Sequence, residues 1–267
     1  MMRENKLRRI LQEGKTSVST RIWSTWPVIT ESLAAIKNFD YMEFVAEYAP
    51  FSQADLENMC RAAELYEMGS MIKVDLQNRA YIAQKAVASG FQAINFADHF
   101  TAEQVEESVH MIRPFIEGTG GLYGCPKRRF ISNPNGMSQM DHAARLNDIV
   151  LCFMIEKESA IQNIEEICSV PGVDMVQFGP SDYCMSHGWN RKGHEEEFKA
   201  AERKMIEVAL KHGVQPRCEI NSPEEAQYYI NLGVKHFSLG DQMAVLTKYW
   251  TEQGGRMKEI AQGLETI

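Results

Sequence analysis

The sequence predicts an α/β protein of the (β/α)8 TIM-barrel class, on three observations. Its 267 residues suit one such barrel and exceed the usual size of a single sandwich. Short β-type runs alternate with helix-type segments through eight cycles. Several helical segments end in glycine just before the next run, at Gly69, Gly90, Gly213 and Gly233, the signature of helix-to-strand loops. No GxGxxG follows the first run, so an open dinucleotide-binding sheet has no support. One barrel domain over residues 1–267 is expected.

In order, an amphipathic helix at about 4–13 precedes a first strand at 18–23, VSTRIW. The second strand, YMEFVAE at 41–47, follows VITESLAAIKN. The third, MIKVD at 71–75, follows a helix whose start is marked by Ser52 and Asp55, a capping-box pair, and whose end is marked by Gly69. AINFAD at 93–98 is the fourth strand and IVLCFMIE at 149–156 the fifth. Between them lies GTGGLYGCPKRRFISNPNGM, 118–137, carrying Lys127, Arg128 and Arg129. A loop of that length points to a lid or a subunit contact. DMVQFGP at 174–180, VQPRCEI at 214–220 and HFSLGD at 236–241 complete the set. The tail LTKYWTEQGGRMKEIAQGLETI is an apolar-striped helix fitted to pack outside its own barrel.

A net charge of −8 argues against nucleic acid or an anionic membrane as partner. It leaves an anionic small substrate open, because a metal or local cations reverse the field in a pocket. No apolar stretch reaches membrane-spanning length, and the charged MMRENKLRRILQEGK has no apolar core of a signal peptide. The six cysteines form no CxxC pair, so buried free thiols in a reducing cytoplasm are expected.

Barrel active sites lie at the C-terminal ends of the strands. Those ends carry Arg21 and Trp23, Glu47 and Tyr48, Lys73 and Asp75, Asp98 and His99, Glu156, Asp182, Glu219 and Asp241. A mouth so rich in carboxylates repels itself unless a cation sits there. Glu156 and Asp182, ending adjacent strands, form the most economical pair for a hard divalent ion. The plainer alternative is that each caps or solvates a loop. Glu219 and Asp241 read as structural or solvated, and His187 as a surface group. His99 has the right chemistry for acid–base work near neutral pH, but Asp98 and His99 cannot both face inward on a strand.

The segment FMIEKESAIQNIEEICSVPGVDMVQFGPSDYCMSHG, 153–188, resembles the core signature of the HpcH/HpaI aldolase family, metal-dependent class II pyruvate aldolases. FDYMEFVAEYAP (39–50), MIKVDLQN (71–78) and YINLGVKHFSLGDQ (229–242) extend the resemblance in the same order. It implies a homo-oligomeric barrel, a hexamer or trimer, with an exchanged C-terminal helix. It also implies reversible aldol cleavage of a small 2-oxo acid. Glu156 and Asp182 match the family's metal ligands for Mg²⁺, Mn²⁺ or Co²⁺, and the backbone N–H groups of Ser181 and Asp182 match its carboxylate cradle. Trp23 belongs with the substrate-binding set.

The chain departs from the family around that pair. Tyr48 stands where a histidine base is usual, and Lys73 where an arginine holds the keto oxygen. Met154 replaces a glutamine, and Ala97 a proline. Tyr48, His99 or Asp75 is therefore expected to take over proton transfer, with Tyr48, Lys73 and His99 as the catalytic candidates and Lys73 also binding substrate. Two other functions stay open: an enolate condensation enzyme, and a barrel that binds a metabolite without catalysis.

Overall fold

The computed structural model describes residues 3–125, 129–131 and 136–264. Eight parallel strands close into a barrel in strict sequence order. They are β1 (Ser17–Ile22), β2 (Tyr41–Val45), β3 (Gly69–Val74), β4 (Ala93–Phe96), β5 (Val150–Ile155), β6 (Met175–Phe178), β7 (Gln215–Ile220) and β8 (His236–Asp241). β8 pairs β1 to complete the ring, with a register shift between Ser19 and Arg21. All eight sequence-predicted strands are present within a few residues of their expected limits, and the (β/α)8 class holds.

The first helices are α1 (Lys6–Gln12), which precedes β1, and, in the outer layer, α2 (Pro27–Ala35), α3 (Gln53–Leu65), α4 (Arg79–Ser89) and α5 (Ala102–Ile112). The 153–188 signature continues after β5 into two short helices, α6 (Glu158–Gln162) and α7 (Ile164–Ser169), and after β6 into α8 (Pro180–Ser186). Ser52 and Asp55 form the expected capping box at the start of α3. Gly90, Gly213 and Gly233 adopt the left-handed conformation that ends a helix. Gly69 does not. It opens β3, where a Cβ would lie 2.9 Å from Tyr41 Cβ, and Glu67 takes the left-handed stop instead, at φ 58°.

Two hydrophobic layers follow from strand alternation. The outward residues of the strands pack on the helices in one large core. The inward residues Tyr41, Met71, Ala93, Cys152 and Met175 form a smaller cluster with Leu7 of α1, so the amino-terminal helix plugs the barrel floor.

Above that floor the interior is polar. Arg217 of β7 is fully buried and donates to Tyr41 Oη (2.8 Å), Ser19 Oγ (3.0 Å), Glu43 Oε2 (2.6 Å) and Gln177 Oε1. Asn95 Nδ2 donates to the other Glu43 oxygen at 2.8 Å. Burial opposes the charge on Glu43, but Arg217 and Asn95 outweigh it and hold its carboxyl below the usual range.

All six cysteines are free, and all but Cys125 are buried. No described helix is long and apolar enough to cross a membrane. In the 118–137 loop, Arg129 donates to Glu64 and to Ser89 O, whereas Lys127 and Arg128 lie outside the described residues. At the carboxyl end α9 (Gln242–Tyr249), a π-helical turn (Trp250–Gly254) and α10 (Gly255–Leu264) contain no buried residue. Tyr249, Trp250, Met257 and Ile260 stand exposed along them.

Candidate active site

Glu156 follows β5 at the barrel mouth and is buried, with 1% of its surface exposed. Its Oε1 accepts from the Asp98 N–H at 2.8 Å. Asp98 presents that N–H from a left-handed conformation, φ 58°, which an aspartate tolerates better than most side chains. Glu156 Oε2 is buried without a hydrogen-bond partner. Gly179, between β6 and α8, keeps that oxygen open: a Cβ there would lie 2.4 Å from it. Burial pushes the Glu156 carboxyl up to about 7, with Asp182 and Asp98 adding repulsion against the opposing pull of Lys73 and the Asp98 N–H.

Asp182 sits in the first turn of α8 and is partly exposed. Backbone bonding there begins with Tyr183 N–H to Gly179 O, so the Ser181 and Asp182 N–H groups precede the intrahelical ladder. Lys157 Nζ lies 2.7 Å from Asp98 Oδ1 and 3.8 Å from Asp182 Oδ1.

Lys73 Nζ lies 2.6 Å from Glu47 Oε2. Burial alone would favour the neutral amine, but Glu156 and Glu47 reverse this and hold the ammonium charged. Tyr48 covers Lys73, whose Nζ is 5.4 Å from the ring centre, and stacks on Trp23 at 5.8 Å and 18°. Burial pushes the Tyr48 hydroxyl up to about 12, with Lys73 opposing and Glu47 and Asp182 reinforcing. Tyr48 is therefore a hydroxyl donor at neutral pH.

The expected catalytic set is only partly assembled. Glu156, Asp182, Lys73, Tyr48 and Trp23 gather at one mouth. His99 does not join them. It is fully buried behind the barrel wall, edge-on to Phe96 and Phe153, with Nδ1 2.9 Å from Ala97 O and Nε2 2.6 Å from Ser108 Oγ of α5. Burial pushes its imidazole down to about 4, so it has neither the position nor the basicity for the expected role. Asp75 is also occupied elsewhere, accepting from Asn78 N–H at 2.8 Å ahead of α4. Met154 lies under Glu156, its thioether 3.5 Å from Asn95 Nδ2.

Lys157 is a charged neighbour of these carboxylates that strand periodicity hides, because it follows Glu156 directly and reaches the mouth only through the turn. Glu219 and Asp241 are not simply solvated: Arg21 Nη1 is 2.6 Å from Glu219 and Nη2 is 3.7 Å from Asp241.

Among the described residues no three His, Cys, Asp or Glu side chains converge as a complete metal cage. Two carboxylates, one with an open buried oxygen, still fit a hard Mg²⁺-type ion, which keeps several waters and takes further oxygens from a substrate. They do not fit a closed structural zinc site.

A family model described as HpcH/HpaI aldolase/citrate lyase matches residues 32–240, from α2 through β8. The chain belongs to the HpcH/HpaI aldolase/citrate lyase family. It is accordingly an enzyme of the carbon–carbon lyase class. It is similar to the 2-keto-3-deoxy-L-rhamnonate aldolase of Salmonella gallinarum, 28% identical over 197 residues that cover 72% of this chain and 70% of the relative. It is also similar to the 5-keto-4-deoxy-D-glucarate aldolase of Klebsiella pneumoniae, 26% identical over 246 residues that cover 90% and 92%. In three dimensions the citrate synthase SbnG shares the fold of this HpcH/HpaI member, with a TM-score of 0.83 at 21% identity over 97% of this chain and all of that one.

Proposed function

We propose that this protein is a divalent-cation-dependent aldolase that cleaves and forms a carbon–carbon bond of a small 2-oxo acid by way of an enolate. The observation that carries the reading is the open, buried Glu156 Oε2 beside Asp182. These two carboxylates would hold a Mg²⁺, Mn²⁺ or Co²⁺ ion. When bound, the ion supplies Lewis-acid stabilisation of the enolate.

The chain's own groups do the rest. Lys73, fixed by Glu47, presents a permanent cation toward negative charge developing on the keto oxygen. Because it stays charged, it is no Schiff-base nucleophile, which needs a free amine. The Ser181 and Asp182 N–H groups bind the substrate carboxylate, and Gly179 lets the chain approach it. Tyr48 donates its hydroxyl at the mouth, and its ring with Trp23 shields Lys73 from water. Condensation makes the same bond that cleavage breaks, so the two directions share this machinery.

A panel of 4-hydroxy-2-oxo acids assayed with each ion tests the proposal. Cleavage that disappears with EDTA and falls by at least a hundredfold in Glu156→Gln is expected. Activity untouched by both treatments removes the cation from the mechanism, and no cleavage of any member favours a metabolite-binding barrel.

The proposal includes a homo-oligomer in the cytoplasm, assembled through the carboxyl-terminal arm. The exposed apolar side chains of α9 and α10 support it. A monomer by light scattering at micromolar concentration would remove it.

A further inference from the structure

We infer that the second substrate, the carbonyl compound that accepts the enolate, is an uncharged aldehyde bearing a planar apolar group. The inference rests on the aldolase reading above and names the substrate class for the outer half of the same mouth.

Charge carries the first part. The described strand ends bring three cations to the mouth, Arg21, Lys73 and Lys157. They meet six carboxylates: Glu47, Asp98, Glu156, Asp182, Glu219 and Asp241. Each cation is already engaged. Lys73 lies 2.6 Å from Glu47 and Lys157 lies 2.7 Å from Asp98. Arg21 lies between Glu219 and Asp241, with its Nε 3.5 Å from Gly240 O. A divalent ion and one bound 2-oxo acid leave the total negative. A carboxylate or phosphate on the second substrate therefore meets like charge, with no free guanidinium or ammonium among the described strand-end residues to offset it.

Shape and polarity carry the second part. Next to Lys73, the Trp23–Tyr48 stack forms an aromatic wall, and Tyr48 exposes 56% of its surface. Two parallel rings with an open face at a site mouth offer stacking area that a planar apolar group fills.

The bond-forming step balances within this assignment. The pyruvate methyl carbon gives up one proton to form the enolate, the enolate carbon attacks the aldehyde carbon, the new C–C bond forms as the enolate returns to the ketone and the aldehyde C=O π bond breaks, and the resulting alkoxide takes one proton to become a hydroxyl, so that protons balance overall.

Matched aldehydes in the addition direction test it. Pyruvate is supplied with benzaldehyde, 4-formylbenzoate, propanal or glyoxylate, and exchange of the pyruvate methyl protons in D2O is followed alongside. Benzaldehyde is expected to exceed 4-formylbenzoate by at least tenfold in kcat/KM, and propanal by a smaller factor. Trp23→Ala is expected to lower the benzaldehyde-to-propanal ratio. Glu219→Gln combined with Asp241→Asn, which unmasks Arg21, is expected to raise the 4-formylbenzoate-to-benzaldehyde ratio. Methyl exchange with the anionic aldehydes taken as well as their neutral counterparts overturns this inference alone. Absence of methyl exchange overturns the enolate reading and this inference with it.

Discussion

Gly179 decides how Glu156 presents itself. Any larger residue places a carbon 2.4 Å from Glu156 Oε2 and 2.7 Å from its Cβ, so the strand end or the carboxylate must move. Gly179→Ala is therefore expected to weaken Mn²⁺ binding at least tenfold by calorimetry while the fold persists, and unchanged affinity would contradict the assigned role of that oxygen. At this scale the sequence was informative about where Glu156 and Asp182 lie, because the ends of adjacent barrel strands converge on one mouth. It was uninformative about Lys157, whose approach depends on the path of a turn. It misplaced His99, since Asp98 and His99 alternate and the backbone N–H of Asp98, not either side chain, meets Glu156. Tyr48 stands where a base was expected, but burial near carboxylates raises its hydroxyl out of the working range.

β7 supplies the element that organises the barrel interior. Arg217 joins β1, β2 and β6 through Ser19, Tyr41, Glu43 and Gln177. Gln177 in turn donates to Glu219 Oε1 at 2.6 Å, which connects the network to Arg21 at the mouth. Removing one partner of a buried pair strands the other charge, at a cost of about 3–5 kcal/mol. Urea denaturation of Arg217→Met is expected to show a loss of that size, and the added change Glu43→Gln is expected to recover part of it. A loss below about 1 kcal/mol would mean that the pair is not the anchor described. None of this was visible in QPRC or YMEF, because a charged residue on a strand reads as a solvent-facing position until closure of the barrel puts it inside. The capping box of α3 was legible because its chemistry is local, and the stop at Glu67 was not because a left-handed glutamate carries no composition signal.

The whole molecule was the most legible level, since eight alternations of strand and helix leave few topologies and right-handed crossovers leave one ring. What closure adds is burial of titratable groups that the sequence leaves neutral in meaning. His99 faces Arg79 and Asp98. His236, on the barrel's inner side with Nδ1 2.9 Å from Ser17 Oγ, faces Lys235, Arg217 and Asp40. Burial pushes each imidazole down to about 4 from an ordinary 6.5. The unfolded chain therefore binds more protons between those values. The stability from each neutral imidazole is whole above pH 6.5 and is lost as pH falls toward 4, by about 3 kcal/mol at most for each. Glu156, whose raised carboxyl binds its proton better in the folded state, offsets part of this; melting temperatures across that window are still expected to drop with acid, and His99→Gln is expected to flatten the slope. The proposed role of Glu156 and Asp182, holding a cation that promotes enolate formation, is read out by proton NMR of pyruvate methyl exchange in D2O. With Mg²⁺ or Mn²⁺ present the protein is expected to exchange those protons, and EDTA or Glu156→Gln is expected to stop it. Exchange that continues at the same rate under both treatments would remove the cation and Glu156 from enolate formation.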